Sequence, residues 1–189
     1  MNYRNTLTLS VLTVLLLTLG CSKTIEEGTP NYPTKLTDLV DPWIGTGGHG
    51  HVFLGASVPL GMVQLGPTSV TEGWDWCSGY HISDSTVIGF SHTHMSGTGI
   101  GDLLDLTVMP VTGEVDPTGG EQSWKSSFLH QGEIVQPGYH RLYLENYNMW
   151  VEQTATDWVS FYRLTYTEHA SANILFNLGG YVGTSTMVN

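Results

Sequence analysis

Alternating apolar and polar positions recur through the second half of the chain. Five segments show period-two alternation or enrichment in β-branched and aromatic residues, namely 132–136, 139–146, 150–156, 159–167 and 173–178. Turn-forming residues such as Pro137-Gly138 and Gly179-Gly180 separate them. In segment 139–146, Leu142 and Leu144 occupy one face, which is typical of a half-buried antiparallel strand. These segments predict five consecutive strands.

The first half of the chain is less regular. Weak alternation predicts a strand at 34–40, and a short apolar segment bounded by Pro59 and Pro67 predicts another at 61–66. Segments 86–92 and 104–111 are better strand candidates, and in the second Leu104, Leu106 and Val108 fall on one face. Residues 45–51 and 67–85 lack periodicity and are expected to be loops. After residue 20 no helical periodicity is sustained, so the fold class is all-β, an antiparallel β-sandwich of the supersandwich kind.

Composition and charge narrow the possible functions. The chain has 189 residues and only 12% charged side chains, which suits one globular domain with one core. Its formal net charge is −11, with six Lys and Arg residues in all. Nucleic-acid binding requires clustered cations, so a nucleic-acid partner is excluded.

The N-terminus has the pattern of an export signal. Arg4 precedes an apolar run from Leu7 to Leu19, which ends in LTLGC at Cys21. That ending resembles a lipoprotein signal, so we expect a signal peptide at 1–20, a lipid on Cys21, a tether at 21–35 and the domain at 36–189. The expected location is the cell envelope, periplasmic or at the cell surface, with membrane contact through the lipid only. An ordinary secretory signal with an incidental cysteine is the alternative.

Two further features concern the cysteines and the end of the chain. With Cys21 lipidated, Cys77 has no disulfide partner, and we expect a buried small apolar side chain there. Only eleven residues follow the strand predicted at 173–178. We therefore expect a fragment whose sandwich is incomplete at its C-terminal end.

Residues 41–102 have the composition of a binding site. They hold five of the eight histidines and three of the six tryptophans, with many glycines between them. Trp74 and Trp76 flank Asp75, and an exposed indole suits the apolar face of a sugar ring. Neighbouring polar groups would hydrogen-bond sugar hydroxyls, and these are Asp75, Ser78, Tyr80 and His81.

The histidines occur as two H-x-H pairs, His49 with His51 and His92 with His94. Such pairs can supply four nitrogen ligands to zinc, but no carboxylate lies at the spacing of H-x-H-x-D metal hydrolases. Histidines that hydrogen-bond in a polar cleft, or that are structural, are the other interpretations. The glycines at 97, 99 and 101 do not form a dinucleotide loop, because a strand rather than a helix follows them.

Three ordered motifs carry a resemblance. DPWIGTGGHGHVFLGASVPLGMVQLGP, GWDWCSGYH and GFSHTHMSGTGIGDLLDLTVMP resemble the N-terminal domain of the glycoside hydrolase family 92 α-mannosidases. The resemblance implies a β-sandwich packed on a larger (α/α)6 barrel. It also implies calcium-dependent, inverting removal of terminal mannose, with a carboxylic general acid and a carboxylate general base. In the family those carboxylates and the calcium ligands lie in the barrel.

The resemblance therefore predicts a role in substrate contact rather than in catalysis. The expected substrate is a mannose-containing glycan, such as an N-glycan, with α-1,2 linkages, and the other expected partner is the barrel domain. Candidate substrate contacts are Trp76, preferred over Trp74, together with Gly47, Gly48, His49 and His94. No catalytic residue and no metal ligand is assigned to this chain, and the calcium is expected to bind outside it. The alternative function is a free-standing, lipid-anchored carbohydrate-binding module.

Overall fold

The computed structural model describes residues 35–69, 72–96, 100–166 and 171–179. The expected signal peptide, the lipid site at Cys21, nearly all of the tether and the glycines at 97 and 99 lie outside the described residues. Within them the regular structure consists of β-strands and short 3-10 turns, and no helix is long and apolar enough to cross a membrane.

In the described part of the chain, eleven strands form three antiparallel sheets. In chain order they are β1 (Ala56–Ser57), β2 (Gln64–Thr68), β3 (Thr86–Val87), β4 (Gly89–Ser91), β5 (Thr107–Thr112), β6 (Ser126–Ser127), β7 (Ile134–Gln136), β8 (Tyr139–Leu144), β9 (Met149–Ala155), β10 (Ser160–Tyr166) and β11 (Ala172–Asn177). The five-stranded sheet has the order β1-β2-β4-β5-β11, and the four-stranded sheet has the order β10-β9-β8-β7. A small third sheet pairs β3 with β6.

The core lies between the two larger sheets. The five-stranded sheet contributes Phe90, Met109 and Val111, and the four-stranded sheet contributes side chains such as Leu142 and Val151 to the same buried cluster. In β8 and β9 every second residue is buried, so the alternation in sequence becomes one core-facing side and one solvent-facing side. The all-β sandwich prediction is confirmed.

The five strands predicted in the second half are confirmed as β7 to β11, with boundaries that differ by a few residues. Strand β11 pairs in antiparallel register with β5, with Ile174 opposite Pro110. The sequence pattern predicts no strand after this one that could pair with it. The partner comes from more than sixty residues earlier in the chain, which local pattern cannot reveal.

The strand predicted at 34–40 is wrong. Its described part contains an exposed 3-10 turn, Leu36–Leu39, with Val40 N–H donating to the Thr37 carbonyl over 3.1 Å. No strand among the described residues pairs with this segment, and its leucines recur at a spacing of three, which fits a 3-10 turn.

Three other predicted strands are displaced or divided. The strand expected at 61–66 forms at Gln64–Thr68 instead, and it continues through Pro67, which lies opposite Phe90. The strand expected at 86–92 is split at Ile88, because β3 and β4 belong to different sheets. The strand expected at 104–111 begins only at Thr107, since Leu104 takes a left-handed conformation with φ of 46°.

Candidate functional site

A glycine-rich turn presents the first pair of histidines. Residues 45–51 form a tight loop in which Gly50 N–H donates to the Gly47 carbonyl over 3.2 Å and Val52 N–H donates to the Gly45 carbonyl over 3.1 Å. A Cβ at Gly50 would lie 2.1 Å from the Gly45 carbonyl oxygen, so this close approach requires glycine. Gly48 has open space around its Cα and is exposed, whereas a Cβ at Gly47 would meet the side chain of Ile82 at 2.8 Å.

A 3-10 turn, Trp74–Trp76, carries the two tryptophans beside that loop. Trp74 is 37% exposed, and its ring meets the ring of His51 edge to face with centroids 5.6 Å apart. Trp76 is more firmly held, because its Nε1–H donates to Asp84 Oδ1 over 2.6 Å and its ring lies 4.4 Å from that of His81. The turn therefore presents one indole to solvent and anchors the other.

Asp75 connects the turn to the glycine-rich loop. Its Oδ1 lies 2.7 Å from His49 Nδ1 and 3.2 Å from His51 Nε2. The hydrogen bond from His49 is the main reason that the pKa of Asp75 is lowered from its ordinary value. The His49 side chain is 89% exposed and that of His51 13% exposed, so the cluster lies at the surface with one imidazole fully accessible.

Two of the polar groups expected to meet a sugar are instead buried. Ser78 is 2% exposed and Tyr80 is 1% exposed, and the Tyr80 hydroxyl donates to Glu133 Oε2 over 3.2 Å. The prediction of hydroxyl contacts by Ser78 and Tyr80 is therefore wrong, because the chain runs through the interior directly after the turn and residues 77–80 are all buried. Cys77 is also buried and free, as predicted. Asp75 and His81 remain partly exposed.

His94 lies in the interior. It is 2% exposed, its ring stacks on Phe53 with centroids 5.3 Å apart, and its Nδ1 lies 2.6 Å from Asp102 Oδ2. Its Nε2 faces the Gly66 carbonyl at 3.1 Å. Asp102 is fully buried, and its Oδ1 also accepts hydrogen bonds from two backbone N–H groups. Through the contact of His94 with Gly66, the His94–Asp102 pair connects the third motif to β2.

The two H-x-H pairs do not combine into a four-histidine site. Among the described residues, the group of three side chains able to share a metal ion is His49, His51 and Asp75. His92 instead has its Nδ1 3.2 Å from the Leu106 carbonyl, and burial lowers the pKa of its ring. The carboxylate beside the first histidine pair is that of Asp75, which lies 24 residues after His51 in the sequence.

Sequence reasoning missed a second polar network, centred on Glu133. The two oxygens of this buried carboxylate accept from His140 Nε2 at 2.8 Å and His130 Nδ1 at 2.7 Å, besides Tyr80. Burial raises the pKa of the Tyr80 hydroxyl well above its ordinary value, with the Glu133 charge as the next cause. The local H-x-x-E spacing of His130 and Glu133 was the available signal, but His140 lies on β8 and Tyr80 is 53 residues away from Glu133. The network is internal, so we assign it a structural role.

The site as a whole suits binding better than acid–base catalysis. An exposed indole, an exposed imidazole and a partly exposed carboxylate share one surface. The nearby carboxylates of Asp84 and Asp102 are both buried and occupied by protein donors. Apolar contact with a flat ligand face and hydrogen bonds to hydroxyls are the chemistry that this surface offers.

Comparison with known protein families finds one match over most of the chain. Residues 39–189 match the family described as "Glycosyl hydrolase family 92 N-terminal domain". A protein of the fungus Arthroderma benhamiae, named "Uncharacterized secreted glycosidase", is 28% identical over 156 residues, which cover 80% of this chain and 20% of that protein.

Solved structures give a concordant result. A family 92 α-mannosidase of Bacteroides thetaiotaomicron, solved in complex with mannoimidazole, is 37% identical and superposes with a TM-score of 0.74, covering 78% of this chain and 20% of that one. A family 92 inverting mannosidase of the same organism is 25% identical with a TM-score of 0.64, covering 76% and 20%. The chain thus spans about a fifth of the length of these relatives.

Proposed function

Because the chain belongs to glycoside hydrolase family 92, we propose that it serves as the N-terminal domain of an α-mannosidase acting on terminal α-mannosyl linkages of glycans. In this proposal the sandwich supplies one wall of the substrate cleft and the surface that receives an (α/α)6 catalytic barrel. The proposed linkage is α-1,2. The resemblance of its three motifs to the family supports the proposal that the sandwich contacts substrate while the barrel carries out catalysis.

The observation that carries the proposal is the exposed indole of Trp74 beside His49 and Asp75. All three side chains belong to the family-like motifs, and they come from two loops that the fold brings together. An indole face packs against the apolar face of a pyranose, while the imidazole and carboxylate can hydrogen-bond its hydroxyls. A leaving-group sugar is the proposed occupant of this surface. Trp76 contributes by anchoring the turn through Asp84.

The general acid and general base are proposed to come from the barrel. Inversion needs two carboxyl groups about 6.5 to 9.5 Å apart across the scissile bond, with one of them reaching a water molecule. Asp102 is fully buried and paired with His94, and Asp84 is buried against Trp76. Neither carboxylate can reach a substrate from its position in this structure.

The calcium of the family is also proposed to bind to barrel residues. Calcium takes six to eight oxygen ligands. The cluster of three potential ligands among the described residues offers two imidazole nitrogens and one carboxylate, so it does not fit calcium. When bound, calcium would supply charge to the sugar hydroxyls, and no step is assigned to it on this chain.

Export and lipid attachment complete the proposal. The apolar run ending at Cys21 is consistent with secretion followed by anchoring in the cell envelope, although it lies outside the described residues. The Arthroderma benhamiae relative is named a secreted glycosidase, which supports export of this chain too.

The proposal is tested by assaying α-1,2-mannobiose hydrolysis in the presence of calcium. We expect no turnover by this chain alone. We expect turnover by a chimera in which residues 39–189 replace the matching segment of the 37%-identical Bacteroides enzyme. In that chimera Trp74→Ala should raise KM about tenfold, which is the loss of one stacked aromatic contact.

Two outcomes would contradict the proposal. Turnover by the chain alone that survives both Trp74→Ala and Trp76→Ala would place the catalytic groups elsewhere on this domain. Micromolar binding of α-mannobiose by the chain alone in calorimetry, together with an inactive chimera, would favour the carbohydrate-binding module instead.

A further inference from the structure

The cluster of His49, His51 and Asp75 has the composition of a transition-metal site. Its three potential ligand atoms all lie within 4.8 Å of one another. Two imidazoles and one carboxylate are the ligand set of many zinc sites that keep a position open for water or substrate, and of 2-His-1-carboxylate iron sites. Hard cations such as calcium and magnesium prefer oxygen ligands and are disfavoured here.

Two of the three separations between the ligand atoms are close to those of a metal site, and the third, between the two imidazole nitrogens, lies within 4.8 Å. In a tetrahedral site with ligand atoms about 2.0–2.1 Å from zinc, neighbouring ligand atoms lie about 3.3 Å apart. The 3.2 Å between His51 Nε2 and Asp75 Oδ1 already matches this separation. The 2.7 Å between His49 Nδ1 and Asp75 Oδ1 must lengthen while His49 Nδ1 comes to a similar distance from His51 Nε2, and the His49 side chain is 89% exposed, so it can reorient without disturbing the core.

The backbone holds two of the ligands in place before any ion binds. His51 is only 13% exposed in its side chain, and its ring is fixed against Trp74. Asp75 lies in the middle of the Trp74–Trp76 turn, whose Cys77 N–H donates to the Trp74 carbonyl over 3.0 Å. Preorganised ligands reduce the entropic cost of binding a metal ion.

We propose that His49, His51 and Asp75 bind a divalent transition-metal ion of the zinc type, which clamps the glycine-rich loop to the tryptophan turn. His49 binds through Nδ1, His51 through Nε2 and Asp75 through its carboxylate, and water completes the coordination. The ion fixes Trp74 in its exposed position through the ring of His51. This site is distinct from the calcium assigned to the barrel. It shares His49 and Asp75 with the surface proposed to contact sugar, where His49 Nε2 and the second Asp75 oxygen are not needed as ligands and can hydrogen-bond hydroxyls.

Metal content is the direct test. The full chain, without an affinity tag, is dialysed to equilibrium against buffered zinc, and bound zinc is measured by mass spectrometry. We expect one zinc per chain, with at least about tenfold lower affinity in His49→Ala and in Asp75→Asn, because each change removes a ligand. His81→Ala is the matched control, since this partly exposed histidine lies on the same surface against Trp76 but outside the cluster, and its zinc affinity should be unchanged.

A spectroscopic measurement locates the ion. Cobalt(II) bound at the cluster should quench tryptophan fluorescence, and zinc should reverse the quenching. Trp74→Phe should remove most of the quenching while leaving one cobalt bound, because the Trp74 ring lies 5.6 Å from the ring of His51.

The proposal is overturned if the wild type binds well below one zinc, or if His49→Ala and His81→Ala reduce affinity equally, which would indicate diffuse surface binding. It is also overturned if cobalt binds without quenching. Denaturant midpoints of all variants show whether each has folded. These outcomes leave the mannosidase proposal untouched, because that is judged by turnover and KM.

Discussion

The two tryptophans of the GWDWCSGYH motif differ in what surrounds them. Trp76 donates its indole N–H to the buried carboxylate of Asp84, whereas Trp74 is 37% exposed and touches only the edge of the cluster through His51. The sequence places both beside Asp75, and the family resemblance favoured Trp76 as the sugar contact. Their environments make Trp76 a support for the turn and Trp74 the side chain available to a ligand.

Replacing each tryptophan by phenylalanine should separate these roles. Trp76→Phe leaves the Asp84 carboxylate without its indole donor, so we expect a loss of about 1–3 kcal/mol in the free energy of unfolding at pH 7. Trp74→Phe should change it by less than about 0.5 kcal/mol. Urea unfolding of both variants measures the difference, and equal losses would contradict the assignment.

The loss of stability in Trp76→Phe should depend on pH. Burial raises the pKa of Asp84 above its ordinary value of 3.8, so the folded state loses stability from this group as pH rises through the raised pKa. Trp76→Phe should raise that pKa further, since the indole N–H favours the charged carboxylate. The stability deficit of Trp76→Phe should therefore shrink as the pH falls towards 3.8. A deficit that does not change with pH would count against the Asp84 contact as its cause.

His94 and Asp102 form a completely buried, hydrogen-bonded pair. Both side chains are completely inaccessible, and Asp102 also accepts from the N–H groups of Met95 and Leu103. Asp102→Asn removes the charge facing His94, and we expect a loss of about 3–5 kcal/mol. Asp38→Asn is the same chemical change at an exposed site and should cost less than about 0.5 kcal/mol. Denaturant midpoints of the two variants decide the matter, and similar values would contradict the structural role.

At the scale of the elements, the solvent face of the four-stranded sheet carries a cross-strand polar group. Glu152 on β9 accepts from Tyr139 on β8 at 2.6 Å and from Arg163 Nε on β10 at 2.5 Å, with a second contact from Arg163 Nη2. The hydrogen bonds from Arg163 and, next in size, from Tyr139 lower the pKa of Glu152 from 4.5 to about 2. This group ties together three strands that already share a core face.

The pKa of Glu152 gives a prediction with a definite sign. A lowered pKa means that the carboxylate stabilises the folded state above its ordinary pKa of 4.5 and loses that effect as the pH falls towards about 2. Glu152→Gln should cost about 0.5–1 kcal/mol at pH 7, because the Arg163 side chain is 73% exposed and solvent screens the pair. The cost should vanish near pH 2.

The exposed Glu145 provides the control for this comparison. Glu145→Gln should show no such dependence on pH in thermal unfolding measured from pH 7 to pH 2. A Glu152→Gln deficit that grew as the pH fell would reverse the predicted sign and refute the role assigned to the carboxylate.

At the scale of the whole molecule, large apolar side chains remain exposed on two strands and the turn before β10. The exposed set is Trp158, Phe161, Ile174, Phe176 and Leu178. Phe161 lies on β10 and Ile174 and Phe176 on β11, which are edge strands of the two larger sheets. Large exposed apolar side chains grouped on a surface commonly mark a site that a partner covers. We infer that the remainder of the proposed mannosidase covers part of this surface.

Two substitutions on β11 test this inference. Phe176 is 62% exposed, so Phe176→Ser should leave the free energy of unfolding within about 1 kcal/mol and reduce self-association. Leu175, on the opposite face, packs against the core, so Leu175→Ser should cost about 1–2 kcal/mol without reducing association. Light scattering and denaturant unfolding measure both quantities, and an unchanged association of Phe176→Ser would contradict the inference.

The sequence by itself determined the strands whose burial is one-sided. In β8 and β9 alternate side chains enter one core, so period-two patterning survives in the fold and predicts it. It also determined the burial of Cys77, the loop at 45–51 and the family to which the motifs belong.

Only the tertiary structure decided features that depend on distant partners. Segment 86–92 divides at Ile88 because its two halves pair in different sheets. The exposed turn at Leu36–Leu39 pairs with no strand among the described residues. Asp75 meets His49 and His51 because two loops far apart in sequence pack together. The pattern of apolar residues along a strand reflects which of its own side chains are buried. It does not show which distant segment packs against them. The residues of the candidate site come from distant segments, so the sequence pattern could not bring them together.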